Sequence, residues 1–313
     1  MMLEQKCIVY VTSWNNYITN FLQFNSKITH FNFSFGNIAG SNPSFILEPS
    51  DNMFASDTNI SKQWAIYKKE RPNAKFLLAL GGATFASTWN HFESSSNVSA
   101  LVNCLHEFVN RKFTTDNIEL DGLDFDFELD SRRPSINQCN NLLEVIKQLK
   151  IKNPTKLFTL TGFSTSADPA SCETQGGSNC SAPYSVHCGE LISMLSHPDF
   201  AYVDFYNIMA YDAGRNYPYN IALNNAYNNI TDKNKVVLGL SIGSQWAQGG
   251  NFVEEMNELI DRAIIVAEEN YGGIMIWAIH PDGMGPSLEQ SIENVGILCD
   301  AYFSVKKENN KSV

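Results

Sequence analysis

The 313-residue sequence has no apolar run of the roughly 18 to 20 residues that a membrane-spanning helix needs. Positive charge is also scarce, because 22 Lys and Arg stand against 33 Asp and Glu, giving a formal net charge of −11. Such a negative field repels phosphate backbones and anionic headgroups. We therefore expect neither nucleic acid nor a membrane as a partner, and a neutral or cationic ligand suits the chain better.

Signatures of metal and nucleotide sites are missing too. The sequence has no CxxC pair, no HExxH and no GxGxxG after its first apolar run. Carboxylates could bind Mg²⁺ or Mn²⁺, and His30 and His280 lie near predicted strand ends, but nothing completes such a site. We predict no metal and no cofactor.

Seven cysteines leave the redox state open. Cys172, Cys180 and Cys188 are evenly spaced in one loop-like segment, where a disulfide between two of them and free thiols are both plausible. We expect the other four to be unpaired buried thiols: Cys7, Cys104, Cys139 and Cys299. The N-terminal stretch Cys7–Val11 is short and typical of a strand, so no cleavable secretion signal is visible.

Eight short apolar runs rich in β-branched and aromatic residues alternate with longer segments of helical spacing. The predicted strands are Cys7–Thr12, Ile28–Phe35, Lys75–Leu80, Leu120–Glu128, Lys156–Phe163, Tyr202–Met209, Val236–Ile242 and Gly273–Ile279. The predicted helices are a weak first one around Tyr17–Phe24, then Ile60–Glu70, Val98–Phe113, Ile136–Lys150, Cys188–Leu195, Ala222–Ile230, Phe252–Asn270 and Leu288–Leu298. This alternation predicts a single α/β domain, a (β/α)₈ TIM barrel over residues 1–305, followed by a polar tail over 306–313.

The connections between the predicted elements differ in length. Gly36–Asn59 and Ser164–His187 are long and should lie at the C-terminal mouth of the barrel, where ligands bind. Between the seventh and eighth predicted strands there is room only for the helix Phe252–Asn270 and short loops. We therefore predict no α+β insertion after the seventh strand.

The segment Leu120–Glu128 carries the strongest chemical signal. Alternate residues of a strand share a face, so Asp124, Asp126 and Glu128 point one way and the residues between them, which are apolar, point the other. Helices cover the outside of a barrel, so the carboxylates should face inward. Stacked, partly desolvated acids cannot all stay ionised at neutral pH, and at least one should hold a proton, as a general acid requires. A solvated polar face of an antiparallel strand is the competing reading.

The segment DGLDFDFE, ending at Glu128, resembles the DGxDxDxE signature of glycoside hydrolase family 18, the chitinases and their relatives. Leu80-Gly81-Gly82 is similar to the end of the family's SxGG motif, with Ala79 in place of Ser. The resemblance continues in its MxYD motif, in its tryptophan-bearing last strand and in its aromatic first and second strands, here represented by Asn207–Asp212, Gly273–Trp277, Tyr10 and His30–Phe35.

This resemblance implies substrate-assisted glycoside hydrolysis. Glu128 would protonate the glycosidic oxygen and later activate water, while the 2-acetamido oxygen of the substrate attacks the anomeric carbon. Asp126 would orient the acetamido group and share a proton with Asp124, and Tyr211 would hydrogen-bond the acetamido oxygen. The substrate-binding residues implied by the same resemblance are Asp212, Trp277, Met209, Tyr10, Gly81 and Gly82.

The leading functional hypothesis is therefore a monomeric retaining chitinase, a hydrolase of β-1,4-linked N-acetylglucosamine polymers. An endo-β-N-acetylglucosaminidase acting on N-glycans and a non-catalytic chitin-binding lectin remain alternatives. The missing insertion predicts a cleft open on one side and endo action, unless the two long loops rebuild a wall. Chitin normally lies outside the cytosol, so function points to an extracellular protein although the N-terminus shows no export route.

Overall fold

Eight parallel strands close into a barrel in the computed structural model, which describes residues 5–13, 21–113, 117–129, 132–213, 217–243, 254–279 and 286–309. Strand β1 pairs with both β2 and β9, and this double pairing closes the ring. The predicted TIM barrel is confirmed. The strands are β1 (Lys6–Thr12), β2 (His30–Ser41), β3 (Ser44–Pro49), β4 (Lys75–Gly81), β5 (Gly122–Asp126), β6 (Leu157–Phe163), β7 (Tyr206–Met209), β8 (Val236–Ser241) and β9 (Gly273–Ile279).

Strand β3 lies outside the barrel and replaces part of the loop predicted over Gly36–Asn59. It folds back antiparallel on the end of β2, which continues to Ser41. Phe45 and Leu47 of β3 are buried, whereas Ile46 between them is exposed. This period-two alternation is the pattern of a half-buried strand, so the signal was present in the sequence. The hairpin lies at the C-terminal mouth of the barrel, where the long loop was expected.

Helices surround the barrel, as the alternation predicts. Ser135 and Gln138 form a capping box that begins the longest helix of the middle region. One predicted helix, Cys188–Leu195, shrinks to a single turn, and of the weak first helix only a turn at Phe21–Gln23 lies within the described residues. The helices are α1 (Asn59–Glu70), α2 (Val98–Val109), α3 (Ile136–Lys152), α4 (Ile192–Leu195), α5 (Tyr219–Ile230), α6 (Met256–Glu268) and α7 (Leu288–Asn309).

Helix α7 runs well beyond the predicted end at Leu298 and takes in the first residues of the predicted tail, of which 310–313 lie outside the described residues. Between Ser241 and Gly273 the described residues contain α6 and no other regular element, which agrees with the predicted lack of an inserted domain there. No helix in the described ranges is long and apolar enough to cross a membrane.

The buried apolar residues form two layers, one between the strands and the helices and one inside the barrel. The outer layer fills the space between strands and helices and includes Leu123, Phe125 and Phe127. The inner layer lies inside the barrel, and partly buried aromatic residues at the mouth pack against it. The inner cluster consists of Ile8, Tyr10, Phe35, Ala79, Phe205, Met209, Val237, Met275 and Ala278, with Phe85, Phe163, Tyr211 and Trp277 against it.

Two disulfide bonds connect parts of the chain. Cys172–Cys180 lies within the Ser164–His187 connection, where a pair was one of the two expectations. Cys7 in β1 is bonded to Cys299 in α7, so the expectation that these two are unpaired thiols was wrong. Their Cα atoms are 5.9 Å apart although 292 positions separate them in sequence, and only the closed barrel brings them together. The free cysteines of the described residues are Cys104, Cys139 and Cys188.

Candidate active site

Three acidic residues on the fourth barrel strand and directly after it face the barrel interior. Asp124 is completely buried and Asp126 is 3% exposed, while Glu128, two residues beyond the end of β5, is partly exposed at the mouth. Phe125 and Phe127 between them belong to the outer hydrophobic layer. The predicted inward orientation is confirmed, and the solvated-face alternative is wrong because helices cover the other side.

Asp124 lies at the bottom of this row and is surrounded by hydrogen-bond donors. The Tyr10 hydroxyl donates to Oδ2 at 2.5 Å, and the Thr161 hydroxyl contacts both carboxylate oxygens at 3.1 Å. The Thr159 hydroxyl and the Asn207 amide, at 3.4 Å, donate to Oδ1. Burial raises the pKa of Asp124, and these donors oppose the rise because they stabilise its ionised form. Thr159 and Thr161 escaped the sequence analysis, although both lie on the inward face of β6.

Asp126 is the least compensated group of the row. Burial raises its pKa well above the usual range, and the charges of Glu128 and Asp124 raise it further. Its Oδ1 atom is buried and has no hydrogen-bond partner among the described residues. A buried acceptor left without a donor is costly, so this oxygen is suited to receive one from a ligand.

The end of β7 brings a tyrosine over the carboxylates. Asn207 joins the Asp124 network, Met209 is 9% exposed, and Tyr211 packs against the inner cluster. Burial raises the pKa of the Tyr211 phenol well above its ordinary value, and the negative charges of Asp126 and Glu128 raise it further. The phenol therefore keeps its proton and can donate a hydrogen bond.

Asp212 follows directly, with an exposed side chain and a left-handed backbone at φ 55°. The predicted inward face of this strand is confirmed for Asn207, Met209 and Tyr211. Asp212 lies beside them at the rim rather than in the buried row, and its contact with substrate stays a prediction.

Gly239 on β8 makes room for Tyr211, and sequence reasoning missed it. A Cβ atom at this position would lie 2.3 Å from the Ile208 carbonyl oxygen and 3.0 Å from Cε1 of Tyr211. Only glycine avoids both contacts. The available signal was a single glycine inside an otherwise apolar strand, which indicates close approach of another chain segment.

Trp277 forms the opposite side of the mouth. Its ring is partly buried and packs edge to face against Tyr10, with 5.5 Å between the ring centroids. Phe35 supports it at 5.7 Å. The placement of Trp277 on the same face as Met275 is confirmed. The resulting aromatic surface suits the apolar C–H face of a sugar ring.

Gly81 is the last residue of β4 and pairs with Asp126 of the adjacent strand, and Gly82 follows it. Both have positive φ values, 90° and 62°, and the Gly82 N–H donates to the Asp126 carbonyl oxygen at 3.0 Å. A Cβ on Gly81 would lie 2.3 Å from Trp89, and one on Gly82 would lie 2.7 Å from Phe35. The structure thus gives the two glycines a packing role beside Asp126, against Trp89 and Phe35, and their contact with substrate stays a prediction.

His30, considered as a metal ligand, is buried below the site. Burial lowers its pKa to about 3, with a smaller contribution from Lys6, and its Nδ1 atom lies 2.7 Å from the Thr29 hydroxyl. A neutral packed imidazole follows from these contacts. His280 lies outside the described residues. Within the described ranges, no cluster of three or more His, Cys, Asp or Glu side chains could hold a metal ion.

Comparison with known proteins decides the family. The sequence pattern of "Glycosyl hydrolases family 18" matches residues 6–258. The chain belongs to glycoside hydrolase family 18. No curated protein sequence matches it. The Asp124–Glu128 row and Tyr211 therefore lie in a family 18 barrel, and their catalytic roles stay a prediction.

Solved family 18 structures share the fold at low identity. A chitinase from Cycas revoluta, solved with allosamidin, has a TM-score of 0.68 at 13% identity, with 95% of this chain and 99% of that chain covered. A class V chitinase from Nicotiana tobaccum gives 0.66 at 11%, with the same coverage. The multi-modular chitinase ChiW from Paenibacillus sp. str. FPU-7 gives 0.67 at 15%, with 95% of this chain but only 43% of that chain covered.

Proposed function

We propose that the chain is a retaining, endo-acting hydrolase of β-1,4-linked N-acetylglucosamine polymers, that is, a chitinase. The observation that carries the proposal is the inward row of Asp124, Asp126 and Glu128 with the Tyr211 hydroxyl group nearby. Family membership supports a chitinase-like glycoside hydrolase. The Cycas revoluta chitinase has been solved in complex with (GlcNAc)3, which supports the same class of ligand here.

Glu128 is the proton donor in this proposal. It is the outermost carboxyl of the row and is partly exposed at the mouth, so a glycosidic oxygen can reach it. Once the leaving group has departed, the same carboxylate takes a proton from the attacking water. Because all three acids lie on one strand, none of them faces the sugar from the opposite side as a carboxylate nucleophile must. The acetamido oxygen of the substrate takes that role and forms an oxazolinium intermediate.

Asp126 and Tyr211 hold the acetamido group. The buried Oδ1 of Asp126, which lacks a donor, accepts from the acetamido N–H, and the Tyr211 hydroxyl donates to the acetamido oxygen. The raised pKa of Asp126 lets it share one proton with Asp124, and the ionised form then stabilises the positive charge of the intermediate. Asp126 is buried, and Tyr211 is packed, partly buried, against the inner cluster before any ligand arrives.

Trp277 supplies the platform under the reacting sugar, with Tyr10 packed edge to face against it and Met209 in the same inner cluster. Asp212, at the rim, contacts a sugar hydroxyl. The described segment after β8 adds only α6 to this region, so we propose a cleft open on that side and cleavage at internal positions of the polymer. A time course of viscosity on a soluble chitin derivative tests this. An early steep fall supports endo action, and release of disaccharide alone at constant viscosity contradicts it.

Glu128→Gln tests the central claim. The amide keeps the shape but cannot deliver a proton, so turnover of colloidal chitin should fall by about 10²–10⁴-fold with an unchanged melting temperature. Glu289→Gln, at an exposed position in the first turn of α7, is the matched control and should keep full activity. Turnover of Glu128→Gln within tenfold of the parent would remove Glu128 from this role. The anomeric configuration of the first product, read by NMR, should be β, and initial α product contradicts the mechanism.

Colloidal chitin and a high-mannose glycoprotein, assayed side by side, separate the proposed substrate from an N-glycan. Saturable binding of chitin oligosaccharides without any turnover would make the protein a lectin instead. We also propose that the protein acts as a monomer. We propose further that it acts outside the cytosol, because its two disulfide bonds are typical of an oxidising compartment. Peptide mapping without reduction, on protein from its native source, tests the compartment, and four alkylatable thiols at these positions contradict it.

A further inference from the structure

Phe163 ends β6, the strand next to the one that leads to the proposed proton donor. In the pairing of β5 with β6, Asp126 is opposite Thr161, and the Phe127 N–H continues the ladder to the Thr161 carbonyl oxygen at 2.9 Å. Phe163, two residues further along, is the last residue of β6, and Glu128, two residues beyond Asp126, follows the end of β5. Phe163 is partly buried and packs against the inner cluster. It is therefore an aromatic residue at the mouth, on the strand next to the one that leads to Glu128.

His187 covers Phe163 from the long loop that follows β6. The two ring centroids are 3.8 Å apart with an interplanar angle of 30°. Nδ1 of His187 lies 2.9 Å from Oε2 of Glu190, whose side chain is only 2% exposed and whose other oxygen accepts from the Ser166 hydroxyl at 2.7 Å. With Nδ1–H donated to Glu190, the other ring nitrogen, Nε2, is left for a ligand. The His187 side chain remains 18% exposed, so this ring reaches solvent.

The segment around His187 is hydrogen-bonded to the first residues of the same connection, directly after β6. Gly189 donates its N–H to the Thr165 carbonyl at 3.1 Å, and Leu191 donates to the Ser166 carbonyl at 3.1 Å. The Cys172–Cys180 bond restrains the same connection. The ring is thus held in place before any ligand arrives, which lowers the entropic cost of binding to it.

The position of this pair relative to the cleaved bond follows from the barrel. Trp277 on β9 lies four strands from β5, on the opposite side of the ring. A sugar stacked on Trp277 with its scissile oxygen at Glu128 places the next sugar beyond Glu128, on the side of the mouth where β5 and its neighbours β4 and β6 end. We propose that Phe163 and His187 bind this leaving-group sugar, with the sugar against Phe163 and one of its hydroxyl groups donating to Nε2 of His187. The inference rests on the proposed function and assigns the second sugar site of the same cleft.

Two substrates that differ only beyond the cleaved bond test it. Chitotetraose has sugars on the leaving-group side, whereas chitobiosyl fluoride releases only fluoride. His187→Ala should lower kcat/KM for chitotetraose by roughly three- to tenfold, the range for one lost hydrogen bond and its stacking partner, and leave fluoride release within twofold of the parent. His187→Phe keeps the stack and loses the acceptor, so its loss on chitotetraose should be smaller.

His197→Asn is the matched control, because His197 precedes β7 at the far end of the barrel and Asn preserves its acceptor for the Asp199 N–H. His197→Asn should change neither the kcat/KM for chitotetraose nor the release of fluoride. Equal losses of His187→Ala on both substrates would assign His187 a purely structural role and overturn the inference, and so would full activity on both. A parent protein inactive on both substrates would overturn the proposed function and this inference together. Melting temperatures verify that each variant is folded.

Discussion

The hydrogen bond from Tyr10 to Asp124 can be removed with almost no change in shape. Tyr10→Phe deletes one hydroxyl and keeps the ring that packs against Trp277. The lost bond is 2.5 Å long and buried, and it joins a hydroxyl to a carboxylate. Asp124 keeps its donors from Thr159, Thr161 and Asn207. The variant therefore measures how strongly one donor stabilises the carboxylate at the bottom of the row.

A hydrogen bond to a charged group contributes about 1.5–3 kcal/mol, against about 0.5–1.5 kcal/mol for a neutral one. For a chain of this length the free energy of unfolding changes by 1 kcal/mol for roughly each 2 °C of melting temperature, so we expect a decrease of about 3–6 °C at neutral pH. The contribution of about 1.5–3 kcal/mol applies only while Asp124 is ionised.

The loss of stability should therefore depend on pH. The Tyr10 bond favours the ionised carboxylate, so removing it raises the folded-state pKa of Asp124 beyond the rise that burial already produces. A folded-state pKa above the unfolded value of about 3.9 means that the folded protein holds the proton more tightly and that its stability falls as pH rises above that value. The stability of the variant therefore falls further with rising pH than that of the parent. The difference between them should be small near pH 4 and reach its full size at neutral pH.

Urea unfolding of parent and variant at several pH values measures this difference. Tyr302→Phe is the matched control, since the Tyr302 hydroxyl is buried and donates to a neutral acceptor, the Tyr271 carbonyl oxygen, at 3.4 Å. Tyr302→Phe should lower the free energy of unfolding by about 0.5–1.5 kcal/mol, the range for a neutral hydrogen bond, and by the same amount at every pH. If Tyr10→Phe behaves like this control at every pH, then the bond does not stabilise an ionised Asp124, and the proposed proton sharing within the row loses its basis.

Gly239→Ala should destabilise the protein by about 1–3 kcal/mol in urea unfolding, because the new methyl group meets the Ile208 carbonyl oxygen, and an unchanged midpoint would contradict the packing described. Trp277→Ala, made in the inactive Glu128→Gln background, should weaken calorimetric binding of chitotetraose about tenfold or more, and unchanged affinity would remove the stacking platform. Cys299→Ala should lower the free energy of unfolding of the oxidised protein by about 2–4 kcal/mol, and equal stability with the parent would refute a restraint by this bond.

The parts of the site that the sequence predicts are those encoded by local alternation. Asp124, Asp126 and Glu128 alternate with phenylalanines, and a barrel wall leaves only one orientation for such a strand. The same reasoning places Tyr211 and Trp277 inside. Strand β3 shows an equally clear alternation of buried and exposed residues, but its segment was predicted as a loop. The length and the amino-acid composition of Gly36–Asn59 favoured a loop over a strand.

The parts that sequence reasoning missed depend on which strands become neighbours. Thr161 reaches Asp124 only because β6 pairs with β5, and Gly239 matters only because Tyr211 crosses above β8. His187 meets Phe163 through the path of a long loop, which no periodicity describes. The Cys7–Cys299 bond is the extreme case, because it joins positions that only barrel closure makes adjacent.

That bond also affects what happens when the backbone is cut. Cys7 lies in β1 and Cys299 in α7, so almost the whole chain lies between the two sulfur atoms. One peptide bond hydrolysed anywhere between them leaves two fragments that are still joined covalently, with β1 held against its neighbours β2 and β9. A protease that nicks an exposed loop at the mouth therefore produces a protein of full mass on a non-reducing gel. The two pieces separate only after reduction.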